Sequence, residues 1–176
     1  MTLENVFTLR DLEHAKTIHM RALVRTDLDS TTDKQGNVLP NERLNQTSAL
    51  ALSLLQEYNI AKLLIWGHHK RPGEDAFSDL SQQAKIMGMR FVSFAGSKET
   101  EELPDRLAVL DNTRMISGEQ ERMIAPLHRR YASISDVYIL DAPAVLHRKD
   151  TSIAGMHELM PVVLGPGIVS DLSNLD

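Results

Sequence analysis

Six short apolar runs, four of them ending in charge and all spaced by helix-like segments, constrain this chain more than any other feature. The runs are Arg21–Leu28 (RALVRTDL), Lys62–Trp66, Met89–Phe94, Leu107–Leu110, Val137–Leu140 and Pro161–Leu164. They are apolar on both faces, as strands buried in a parallel sheet must be. Between them, Glu42–Tyr58 carries Leu44, Ala51, Leu54, Leu55 and Tyr58 at helical spacing, with Asn41 placed to cap it. Ser78–Met87 puts Leu80, Ala84 and Met87 on one face. Glu119–Ser133 continues the pattern through Met123, Leu127 and Ala132, and Pro126 within it predicts a kink or two shorter helices. Gly165-Pro166-Gly167 reads as a turn. The alternation predicts an α/β fold: a three-layer, doubly wound parallel sheet with helices on both faces.

A chain of 176 residues is long enough to bury a core without disulfides, and residues 1–176 read as a single domain. Cysteine is absent, which removes disulfides, thiolate catalysis and thiolate metal sites and fits a reducing compartment. The opening MTLENVFTLRDLEHAK has no basic segment followed by an apolar one, so a cytoplasmic location is expected. Apolar runs fall short of the roughly 18 residues of a membrane span, so no membrane partner is expected. A net charge of -5 argues against a general nucleic-acid binder. Any anion must therefore be held by a local cluster of cations.

Ligands of open parallel sheets sit beyond the carboxyl ends of the strands, so the residues there carry the functional signal. Asp27 and Asp29 follow the first strand. His68, His69, Lys70 and Arg71 follow the second. Asp111, Asn112 and Arg114 follow the fourth, and Asp141, His147 and Arg148 the fifth. Cations outnumber anions, which suits a small, multiply anionic ligand gripped by planar guanidinium forks. There is no GxxxxGK[ST], GxGxxG or GxSxG. The histidines, including His14 and His19, lack metal-ligand spacing, so no metal site is expected. Taken singly, Lys70 and Arg71 read as a solvated loop, His69 as structural or exposed, and Asp141 as a cap or orienting group. Arg25 reads as paired with a carboxylate.

The ordered set VRTDLD, NER, GHHKRPGE, LDNTRM and LDAPAVLHRKDTSIAG resembles the N-terminal domain of phosphoglycerate kinase. The family segments read approximately VRVDFNVP, an arginine opening the first helix, SHLGRP, LENLRF and NDAFGTAHRAHAST. The resemblance implies 3-phosphoglycerate binding by Asp27, Asp29, Arg43, His68, Arg71, Arg114 and Arg148. It also implies that Arg43 steadies the migrating phosphoryl group, as positioned cations do in phosphoryl transfer. Mg-ATP belongs to the family's second domain, so this chain is expected to bind no cofactor itself.

Three departures accompany the resemblance. Asp29 replaces an asparagine, HLGRP becomes HHKRP, and DAFGTAHR becomes DAPAVLHR. The chain also stops where the family's interdomain helix would begin. It reads as the acceptor half of a glycolytic kinase, truncated, and inactive unless a separate nucleotide-binding chain joins it. A fragment, half of a split enzyme, a stand-alone metabolite-binding module and a vestigial paralogue all stay open. Homo-oligomerisation would follow if Met156, Leu159, Met160, Leu164 and Ile168 formed an exposed patch.

Overall fold

The computed structural model describes residues 7–13, 19–58, 60–94 and 106–174. His14 lies outside them. Six strands form one sheet: β1 (Met20–Thr26), β2 (Ile60–Gly67), β3 (Arg90–Phe91), β4 (Leu107–Asn112), β5 (Val137–Asp141) and β6 (Val162–Leu164). Their order is β3-β4-β2-β1-β5-β6, and each pairing is parallel. The helices are α1 (Leu9–Glu13), α2 (Glu42–Glu57), α3 (Ser81–Ile86), α4 (Pro126–Ser133), α5 (Thr151–Ala154) and α6 (Pro166–Ser173).

Alternation along each strand divides the apolar residues between two cores. Ala22, Val24, Leu63, Ile65 and Ile139 pack with Leu44, Ala51 and Leu54 of α2 and Ala84 of α3. Leu23, Leu64, Trp66, Leu110 and Tyr138 pack with Tyr131 of α4 and Ile168 of α6 on the other face. This is the expected three-layer, doubly wound arrangement. Trp66 anchors the second core, meeting Tyr131, Tyr138 and His128 edge to face. Asn41 caps α2 as expected, its Oδ1 accepting the Leu44 N–H at 3.1 Å.

Three expectations are corrected. The helix expected over Glu119–Ser133 begins only at Pro126, where a missing N–H costs nothing. Upstream, Gly118 (φ 82) and Arg122 (φ 54) take left-handed conformations that no α-helix admits. Gly165-Pro166-Gly167 is the start of α6, with Gly165 as N-cap. Asp141 crowds this start: a Cβ on Gly165 would come within 2.4 Å of the Asp141 Cβ. The supposed C-terminal patch is interior. Met156, Met160 and Ile168 are buried in the second core, and Leu159 and Leu164 pack against it. The oligomerisation argument built on that patch therefore loses its basis.

Candidate functional site: a cluster of guanidinium groups at the strand ends

The chain passes from β1 to β2 on one side and later lays β5 on the other side of β1. Such a reversal opens a crevice beyond the strand ends. A cavity of about 180 Å³ lies there, lined by Thr26, Asp27, Arg43, Gln46, Asp141 and Gly167. Another, about 390 Å³, is lined by Asp29, Ser30, Asn41, Arg43 and Lys70. Arg43 belongs to both. A cavity of about 860 Å³ beside α4 has a largely apolar lining, including Phe94, Ile116 and Leu127, and contains none of the expected site residues.

Arg25 is fully buried in β1, between Trp66 of β2 and Leu140 of β5. Its partner is not a carboxylate, contrary to expectation. Nε donates to Ser152 Oγ (3.1 Å), Nη1 to the Thr26 carbonyl, and Nη2 to His68 Nδ1 (2.9 Å). Because a guanidinium can only donate, His68 must accept at Nδ1 and carry its proton on Nε2. Burial first, then Arg25 and Arg114, hold His68 neutral, down to about 2.

Behind Arg25 lies a buried chain that sequence reading missed. Ser152 Oγ donates to Glu119 Oε1 at 2.5 Å. Glu119 Oε2 also accepts from the Ser152 N–H and pairs with His128 Nε2, both at 3.0 Å. Glu119 thus reaches Arg25 only through a hydroxyl. Residues as far apart in sequence as 25, 119, 128 and 152 leave no spacing signal for this chain.

The GHHKRPGE loop follows β2. Asn112 Nδ2 donates to the carbonyls of His69 and Ser78, each at 2.8 Å, and so clamps both ends of the loop. Lys70 has φ 56, a left-handed conformation, at the position where SHLGRP has glycine. A side chain there costs on the order of 1 kcal/mol. The strain is offset by two bonds: the Lys70 N–H donates to Asp29 Oδ1 at 3.0 Å, and Arg114 Nη1 donates to the Lys70 carbonyl.

Asp29 is thereby tied to this loop. His69 Nδ1 lies 3.5 Å from Asp29 Oδ1, a long contact, so the Lys70 N–H is the firmer anchor. His69, then the Lys70 N–H, hold the Asp29 carboxyl well below the usual range against its partial burial. His69 itself is fully buried, so the structural rather than the exposed reading holds. Asp27 Oδ1 accepts the Asp29 N–H, and its Oδ2 pairs with Arg43 at 3.2 Å. Arg43 Nη1 also reaches the Asp29 carbonyl at 3.4 Å.

Arg114 is 7% exposed, and burial and then Arg148 push its guanidinium below its ordinary range. Arg148 Nε is buried without a hydrogen-bond partner. Among the described residues, neither arginine, nor Arg25, has a carboxylate within ion-pairing distance. Arg71 is exposed and 3.9 Å from Glu74, a contact worth little. Asp29, His68, Arg71, Arg114 and Arg148 nonetheless lie within one another's fields. Arg43 and Asp27 join them through Asp29. Asp111 turns inward instead, accepting from Ser93, Phe94 and Tyr131. Asp141 caps α6, its Oδ1 accepting the Gly167 N–H at 2.7 Å.

Sequence reading also passed over Asp150, although an acid directly behind LHRK was there to notice. It is 8% exposed. Burial first, then Glu119, push its carboxyl up, opposed by Arg148, Arg114 and Arg25.

His68 makes the site acid-sensitive. The unfolded residue binds a proton near 6.5, the native one only near 2. Between those values the unfolded chain holds more protons, so stability falls with falling pH by up to about 1.4 kcal/mol per unit. His68→Asn keeps an acceptor for Arg25 and removes this titration. Denaturant unfolding from pH 7 to 4 should give a shallower pH dependence for the variant. Identical slopes would contradict the neutral, buried His68.

The fold and these strand ends define an open parallel α/β domain with a cationic crevice at its topological switch. The phosphoglycerate kinase family model matches residues 12–176, so the chain belongs to the phosphoglycerate kinase family. Phosphoglycerate kinase 2 of Methanosarcina acetivorans is 26% identical over the whole chain, which spans 45% of that relative. The Novosphingobium aromaticivorans enzyme is 29% identical over 87% of the chain and 40% of its own length. The phosphoglycerate kinase structure from Pyrococcus horikoshii superposes with a TM-score of 0.80 at 19% identity, covering 97% of this chain and 45% of that one. The chain thus spans under half the length of these relatives. No helix among the described residues is long and apolar enough to cross a membrane.

Proposed function

We propose that this chain is an acceptor domain that binds 3-phosphoglycerate or a similar small phosphorylated or carboxylated metabolite in the cytoplasm. The observation that carries this reading is the set Arg25, Arg114 and Arg148, with no ion-paired carboxylate among the described residues. Arg114, buried and held by the neutral Lys70 carbonyl, has lost its water before any ligand arrives, so an arriving anion would meet preorganised charge. Arg114, Arg148, Arg71 and His68 would hold the anionic groups. Asp27 and Asp29 would orient Arg43 and the loop. Arg43, half exposed, would steady a phosphoryl group arriving from the crevice.

No group of three or more His, Asp or Glu suited to a metal ion gathers among the described residues. As the family resemblance implies, Mg-ATP would be held by a separate nucleotide-binding domain, whether joined covalently or supplied as a separate chain. Phosphoryl transfer, the glycolytic step, would need both, since positioning supplies much of its rate. A metabolite-binding role without catalysis is favoured by one observation: Arg43 is already engaged by Asp27 and the Asp29 carbonyl.

The test is calorimetric titration of the chain with 3-phosphoglycerate, beside an assay with Mg-ATP. Saturable binding without phosphotransfer is expected. No heat at millimolar ligand would sink the acceptor reading, and turnover by the pure chain would refute the need for a partner domain.

A further inference from the structure

Asp150 is a carboxylate in a site otherwise built to attract anions. It is 8% exposed, and its side chain accepts no hydrogen bond among the described residues. It opens α5, yet it does not cap that helix with its side chain. Arg148 lies two residues before it, and Ser152, two residues after it, accepts from Arg25 Nε at 3.1 Å, so it stands in the segment that carries these arginines' contacts. A counter-ion role would bring one of those guanidinium groups within 4.0 Å, and none is. Against the HRAHAST motif, HRKDTSI places this acid where a histidine stands. A carboxylate buried without a donor is costly. Its oxygens are not among the fully enclosed, unsatisfied atoms, so they keep some exposure. Asp29 adds a second carboxylate where the motif has an amide, and only its Oδ1 is engaged by the loop.

We propose, resting on the acceptor-site reading above, that this site takes a phosphorylated zwitterion. Such a ligand is a small phosphorylated amino acid whose ammonium group meets Asp150 while Arg114 and Arg148 hold its anionic groups. The ammonium supplies the donors that Asp150 lacks, and the arginines keep the anion binding that the fold provides. A ligand without a cation would instead face Asp150 as a repulsive charge, which is how a site rejects a near-isostere.

O-phospho-L-serine and 3-phosphoglycerate separate the two cases, since they differ in an ammonium or a hydroxyl at one carbon. Titrated calorimetrically against the wild-type chain, O-phospho-L-serine should bind at least about tenfold more tightly. Asp150→Asn should weaken O-phospho-L-serine and leave 3-phosphoglycerate unchanged or improved. Equal or tighter binding of 3-phosphoglycerate by the wild type would overturn the inference while leaving the acceptor site standing. Silence with both ligands would remove the acceptor site and this inference together. The wild-type pair of titrations decides without any variant, should Asp150→Asn fail to fold.

Discussion

Arg25→Ala is expected to destabilise the chain by about 3–5 kcal/mol, the range for breaking a buried charged network. Arg25 is fully buried and donates to Ser152 Oγ, the Thr26 carbonyl and His68 Nδ1. Alanine leaves all three acceptors without those donors, and each costs about 1–3 kcal/mol. It also removes the cation that faces Glu119 through Ser152, and it opens a cavity between β2 and β5. For a chain of this size the melting temperature should fall by about 6–20 °C. Arg25→Lys should recover little, because a single nitrogen cannot span the three acceptors that the separate Nε, Nη1 and Nη2 atoms reach. Thermal unfolding followed by circular dichroism checks this. A loss below 1 kcal/mol would mean the three bonds are not made together.

Arg148→Ala should do the opposite. Its Nε is buried without a partner, and its side chain has no hydrogen bond among the described residues. Like charge from Arg148 also acts on Arg114. Removing Arg148 should therefore leave stability unchanged or raise it slightly, by up to about 1 kcal/mol. Binding of 3-phosphoglycerate should weaken about 10- to 150-fold, the worth of a charge-assisted hydrogen bond. Calorimetry and thermal unfolding on the same preparation give both readouts. A variant that loses stability but keeps its affinity would make Arg148 structural and remove it from the site. The contrast between these arginines is physical: one has its donors engaged inside the fold, and the other has no partner among the described residues.

The strands were legible because burial on both faces leaves an unbroken apolar run, and all six appear within a few residues of their expected bounds. The Asn41 cap was legible because its partner is three residues away. The start of α4 was half legible. Pro126 announced a break, but the left-handed backbone at Gly118 and Arg122 that keeps the upstream residues out of the helix has no apolar period to reveal it. The C-terminal leucines and methionines misled for a related reason. Composition marks them as apolar, but only packing against Trp66 and Tyr138 shows that their own chain covers them.

At the site the same division holds. Strand-end position brought Asp27, Asp29, His68, Arg71, Arg114 and Arg148 into view, because a parallel sheet delivers every carboxyl end to one edge, whereas Arg43, at the start of α2, came only from the family resemblance. Whether Arg25 and Arg114 are engaged depends on neighbours 43 to 127 residues away. Ser152 and His68 occupy Arg25, the Lys70 carbonyl engages Arg114, and nothing described engages Arg148. Hydrogen bonds and desolvation act over a few ångströms of space, so one-dimensional spacing carries no record of them. The sequence by itself determined the layered fold and the edge at which charge gathers. The tertiary structure alone decided which charges are satisfied, why Lys70 accepts a strained backbone, and that a carboxylate at position 150 stands unpartnered among arginines.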